Sequence, residues 1–467
     1  MGYRSADMIQ YKEVSAPKWE KLGACPELPE IVYTERLERL YSKMDEENLD
    51  VVVLYADREH YSNFRYLAAF EPRFEEGILV IHRNGKNYVL LGNECFCLYQ
   101  ECKFTVTPIL CQILSLPNQT MEQFSSMENM FEKAEIKKGM KVGIVGWKLF
   151  TGNTEAKRIF DVPSYIVESL KNVVGKENME NATDLFISPA EGIRIINDVH
   201  TIAQMEHGAA QASRRVAEML EALEPGKTEE QLGAYLNPRG KVMSCHPYLV
   251  AGENRFRGLI SVTDYAVRKG DALCTSMGLE GGLTNRAGYI AEDISDLKEA
   301  EQDYLEKLAK PYFAAVATWY EMIGIGVTGG VMYEAVQSII PKEIYGWVLN
   351  PGHLIATEEW LSSPIYPGSD IEFKSGMLVQ MDIGPGMEGY GGPNCEDGIC
   401  IADEELQKEL EKKYPDVWRR MNERKAYMKD VIGIHLKPEV FPMSDLAGWY
   451  NPLFLNRQKA FVVENIK

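Results

Sequence analysis

"VRKGDALCTSMGLEGGLTNRAG", residues 267–288, decides how the second half of this chain folds. Its first part reads as a loop ending at Gly270-Asp271, and the apolar run after it as a buried strand. The following "GLEGGLTNRAG" (278–288) carries four glycines, and its only charges are Glu280 and Arg286. It reads as a pocket wall poor in carboxylates, with amide and guanidinium donors suited to an anionic group. The neighbouring segments give it a frame. A long amphipathic helix is predicted upstream, from about Asp198 to Leu223, closed by "EPGK". Downstream come a helix over about 296–322, strands in "GMLVQMDIGPG" (376–386) and "DGICIAD" (397–403), and a helix over about 404–429.

The first half alternates strands with helices. Ile31, Leu37, Leu40 and Met44 mark a helix over 31–50, followed by the strand "VVVLY" (51–55). "GILVIHR" (77–83) and "NYVLLG" (87–92) form a hairpin through "NGK" (84–86), and "KVGIVGW" (141–147) is a further strand. The expected class is therefore α/β (α+β), with a break near 176–192. A chain of 467 residues exceeds one ordinary core, which also implies two domains.

Composition excludes some functions. The net charge of -19, from 69 acidic and 50 basic residues, argues against nucleic acid as a partner. No apolar run reaches the roughly 20 residues of a bilayer span. No secretory signal is evident, and nine scattered cysteines without metal-type pairs fit free thiols in a cytoplasmic protein.

Several segments together resemble the creatinase, prolidase and aminopeptidase P group (peptidase M24-like). They are "NFRYLAAF" (63–70), "EGIRIINDVHTIAQMEHGAAQA" (191–212), "VRKGDALCTSMG" (267–278), "NPGHLIATEEW" (350–360), "SGMLVQMDIGP" (375–385) and "NCEDGICIAD" (394–403), in the family's order. The resemblance implies an N-terminal creatinase-type α/β domain over 1–180 and a catalytic pita-bread domain over 181–430. Residues 431–467 would pack back on the core as a tail, and the protein would be a homodimer.

Metal-dependent members of that group hold two divalent cations on two Asp, one His and two Glu. Carried onto this chain, the His position matches His353, the first Glu position falls on Asp382 and the second on Glu396. The first Asp position falls on Ser276 and the second near Arg286 or Ala287, neither a carboxylate. So few anions do not hold two cations together. The expectation is no metal cofactor, a single weakly held ion on His353, Asp382 and Glu396 being the alternative.

Creatinase and the ectoine hydrolases resemble this fold without the metal pair and act through an acid/base His. The position of that His falls at about Leu259, and the nearest upstream histidine is His246. His353, Glu396 and Asp382 are therefore the candidate catalytic residues, with Asp397 pairing Glu396. Arg286, Asn285, Ser276, Glu358 and Arg73 are the candidates for holding substrate, and "GENRFRG" (252–258) is a candidate lid. The expected function is metal-independent hydrolysis or lysis of a C–N bond in a small carboxylate-bearing molecule. The alternatives are an Xaa-Pro metallopeptidase with an altered metal site, and an inert binding protein on the same fold.

Overall fold

The computed structural model describes residues 2–121, 125–152, 154–252 and 259–464. The chain separates into two compact units, Leu28–Ile195 and Ile196–Lys467, the latter joined by Met1–Glu27.

The unit Leu28–Ile195 is built on a six-stranded mixed sheet. Its spatial order is Thr107–Leu110, Asn87–Leu91, Gly77–His82, Val51–Ala56, Val142–Val145 and Met179–Asn181. The strand Val51–Ala56 is fully buried, as a continuous apolar run requires when both faces are covered. The hairpin expected around "NGK" is present: Gly77–His82 pairs antiparallel with Asn87–Leu91, and Gly85 takes φ 85° in the turn. Helix Glu30–Glu46 buries Leu37, Leu40 and Met44 as helical spacing indicated, but Val32 rather than Ile31, which is exposed, completes the buried face.

In the second unit the sheet runs His353–Leu354, Leu378–Met381, Asn394–Ile401, Gly282–Tyr289, Ala272–Leu279 and Cys245–Ala251, with Val440–Pro442 added beside Asn394–Ile401. Helix Val199–Ala222 packs on this sheet, its first turn capped by the Asp198 carboxylate, which accepts from the backbone of His200 and Thr201. Two expected helices differ. The one placed over 296–322 begins as 3-10 turns and becomes regular only over Lys310–Met322. The one placed over 404–429 is two helices, Glu404–Lys413 and Pro415–Tyr427, because Pro415 lacks an N–H and opens a new helix.

The domain limits drawn from sequence also shift. Residues 1–27 belong to the second unit and the boundary lies at 195/196, not 180. Strand Ile9–Glu13 pairs antiparallel with Lys459–Val463, and Arg4 Nε and Nη2 bind the Glu321 carboxylate at 2.8 and 2.9 Å. Residues beyond 431 lie in the same unit as the catalytic region, where Val440–Pro442 pairs with Ile399–Ile401 of the sheet.

Gly281 makes the turn between the two strands of the opening motif. Its φ is +105°, and a Cβ there would lie 2.2 Å from the Met205 carbonyl oxygen. Gly281→Ala should therefore cost at least about 2 kcal/mol, read as a lower urea midpoint at unchanged slope.

Candidate active site

Pairing register sets one polar row across four strands. Tyr248 lies opposite Ser276, Ser276 opposite Asn285, and Asn285 opposite Glu396. Side chains alternate between the faces of a strand, so Thr284, Arg286 and Asp397 point to the other side of the sheet. In the row, Asn285 Nδ2 donates to the Tyr248 hydroxyl at 2.9 Å, and the Cys274 thiol lies 3.5 Å from Asn285 Oδ1. Gln380 donates to Glu396 Oε1 at 3.0 Å and to the Leu283 carbonyl at 2.5 Å, fixing the carboxyl against the sheet.

His353 enters beside this row. It is paired in register with Gln380 and is fully buried. Its Nδ1 lies 3.1 Å from the Leu354 carbonyl and its Nε2 lies 2.7 Å from Glu359 Oε1. The ring stacks on Trp360 with centroids 4.1 Å apart. The segment after His353 is not helical. Leu361 N–H bonds back to Leu354 and Leu354 N–H to Ser362, which folds Glu359 over the imidazole.

Three carboxyls therefore surround one imidazole. Burial, then the nearby charges of Asp382 and Glu359, hold the Glu396 carboxyl well above its ordinary range. Burial also lifts Asp382 to about 6, against the opposing pull of His353 and with help from Glu359. For His353, burial favours the neutral ring, but Glu359, with smaller help from Asp382 and the Leu354 carbonyl, makes the net direction upward.

The architecture matches known structures. The prolidase of Pyrococcus horikoshii superposes with TM-score 0.61 at 17% identity, covering 79% of this chain and 95% of its own. The Xaa-Pro dipeptidase of Bacillus anthracis gives 0.60 at 17% identity, covering 80% and 96%. The X-Pro aminopeptidase of Thermotoga maritima gives 0.60 at 16%, covering 79% and 95%. The fold is the pita-bread fold. No protein-family model matches the chain, and no curated protein matches it in sequence.

On this pita-bread sheet the donors do not fit a pair of divalent cations. The row beside Glu396 offers neutral Asn285 and Ser276, and the Asn285 amide is already committed to Tyr248. One cation is a different matter: ligand atoms of His353, Glu359 and Glu396 all lie within 4.8 Å of one another. That set exchanges Asp382, expected from sequence, for Glu359.

The structure brings His353, Asp382 and Glu396 together, with Ser276 and Asn285 on the adjoining row. Arg286 is corrected. Its guanidinium is fully buried on the opposite face, with Nη2 2.6 Å from Asp397 Oδ2 and 2.7 Å from the Leu446 carbonyl, so it faces no substrate. The Glu396–Asp397 pair is corrected too, because adjacent strand residues diverge; Asp397 accepts from Ser444, Thr284 and Arg286. Glu358 offers its carbonyl to Ala356, while its neighbour Glu359 meets His353. Arg73 lies in the other unit, its Nε on the Arg58 carbonyl and its guanidinium 4.7 Å above the Tyr61 ring. His246 is exposed, with Nε2 2.7 Å from the Leu259 carbonyl. Of the candidate lid, residues 253–258 fall outside the described residues. Among the described residues no helix is long and apolar enough to cross a membrane.

Proposed function

We propose that the chain hydrolyses a C–N bond of a small molecule with its own acid and base groups rather than through a metal pair. The carrying observation is the neutral Ser276–Asn285 row set beside the contact of His353 Nε2 with Glu359 at 2.7 Å. Glu359 orients His353 and favours its charged form, so the imidazole moves a proton between substrate and carboxylates. Asp382, with a carboxyl near 6, serves as the base for water, and the protonated Glu396 supplies the proton to the departing nitrogen. Three carboxyls and no free guanidinium at this cluster among the described residues favour a substrate that presents a cationic nitrogen here. Similar folds acting on Xaa-Pro peptides support C–N bonds as the target.

The second reading is a single-metal peptidase, favoured by the spacing of His353, Glu359 and Glu396. Those three residues would hold the ion, which would polarise a carbonyl and a bound water. Turnover of creatine, ectoine, sarcosine and Xaa-Pro dipeptides, measured before and after exhaustive chelation, separates the two readings. We expect activity to survive chelation, with only substoichiometric metal in the purified protein. Loss on chelation and recovery on adding one equivalent of metal would reverse the assignment. In the same assay Glu359→Gln should lower kcat about 100-fold, whereas Glu358→Gln should stay within about twofold of wild type.

A further inference from the structure

Away from the polar row, helices Val199–Ala222 and Pro415–Tyr427 bury a chain of alternating charges. Arg420 grips Glu206 with Nε at 3.0 Å and Nη2 at 2.5 Å. Arg424 bridges Glu206 at 2.6 Å and Asp445 at 2.7 Å, and Arg214 Nε reaches Asp445 at 2.5 Å. Side-chain exposure is 13, 8 and 10% for Arg420, Arg424 and Arg214, and 0 and 6% for Glu206 and Asp445. Three guanidiniums face two carboxylates. One buried positive charge is left without internal balance, in a chain whose net charge is -19.

Two further observations converge on the same place. Arg214 Nη2 is buried and has no hydrogen-bond partner among the described residues. The three arginines also line a partly open cavity of about 60 Å³, with Trp19 and Tyr427 among its walls. The rim adds Lys18 and Arg419 against Glu20 and Glu423, so the rim charges cancel and leave the inner excess in place. By the measure that gives one water roughly 10–15 Å³, the cavity has room for about four to six water-sized groups. A phosphate group is of about that size.

The geometry points to a binding site for a phosphate group, free or carried by a small ester, seated on Arg214 and balancing the Arg420–Glu206–Arg424–Asp445–Arg214 network. Guanidinium forks match tetrahedral oxyanions, and Arg214 keeps an N–H for one while its Nε holds Asp445. The site is independent of the activity proposed above.

Calorimetric titration of the full chain at constant ionic strength tests it, with inorganic phosphate, phenyl phosphate and acetate as probes. One saturable phosphate site per chain is expected, with acetate weaker by about tenfold. Preference for phenyl phosphate assigns an ester, and equal or tighter inorganic phosphate assigns the free ion. Arg214→Gln should weaken binding at least about tenfold, and Glu396→Gln should leave it unchanged. If Arg214→Gln does not fold, Arg214→Lys decides, because its one ammonium, drawn to Asp445, has no second nitrogen to place where Arg214 Nη2 stands and loses the fork geometry. No saturable heat from either phosphate compound overturns the site. So does Arg214→Lys binding within about twofold of wild type, or loss of binding in Glu396→Gln, which would move the ion to the polar row.

Discussion

Replacing Arg286 by Met is expected to destabilise the protein by about 3–5 kcal/mol, because it strands a carboxylate inside the sheet. Arg286 and Asp397 are both 0% exposed and meet at 2.6 Å. Arg286 Nη1 and Nη2 also satisfy the carbonyls of Asn285 and Leu446 at 2.7 Å each. Asp397 is fully buried, so the variant must bury a bare charge or take up a proton. Burial already raises the Asp397 carboxyl above its ordinary value, and removal of Arg286 raises it further. A folded-state value above the unfolded one means that stability falls as pH rises between the two. Arg286→Met should therefore lose more relative to wild type at pH 8 than at pH 5.5, as measured by urea denaturation at both. Adding Asp397→Leu should recover part of the loss, the remainder reflecting unpaired Ser444 and Thr284 hydroxyls. Unchanged stability with a raised KM would instead return Arg286 to the substrate.

That correction was within reach of the sequence. Asn285 and Arg286 are neighbours on one strand, so only one can face a pocket, and the same parity divides Glu396 from Asp397. The register that decides which one faces inward comes from pairing with a distant strand, Asn285 opposite Glu396, and no local pattern encodes it. The expected His353, Asp382 and Glu396 do converge, because the strands carrying them, or ending just before Asp382, are adjacent in the sheet. Glu359 was less legible than Glu358. Helical spacing could not choose between them, and the turn that returns Glu359 to His353 is closed by backbone bonds of Leu354 and Leu361. The placement of the N-terminal 27 residues is non-local in the same way. Their partner strand lies at the far end of the chain, and only the fold brings Ile9 to Val463.

Glu396→Gln is expected to lower turnover about a thousandfold while raising the denaturation temperature by about 1–3 °C. The two changes have one cause. Glu396 is only 4% exposed and shares its surroundings with Asp382 and Glu359, so each carboxyl makes the others costlier to ionise. A glutamine keeps the shape and still accepts from Gln380 through its Oε1, but it brings no charge and no transferable proton. The cost of protonating a buried carboxyl on folding disappears with the chemistry, as happens where a site is strained for function. A purely structural Glu396 would behave in the opposite way: its replacement would lower stability and leave kcat near wild type. Under the single-metal reading the same variant would also lose metal in proportion to activity, since a neutral amide is the poorer ligand for a hard cation. Rate, stability and metal content measured on one preparation of Glu396→Gln therefore distinguish a proton donor, a ligand and a packing residue.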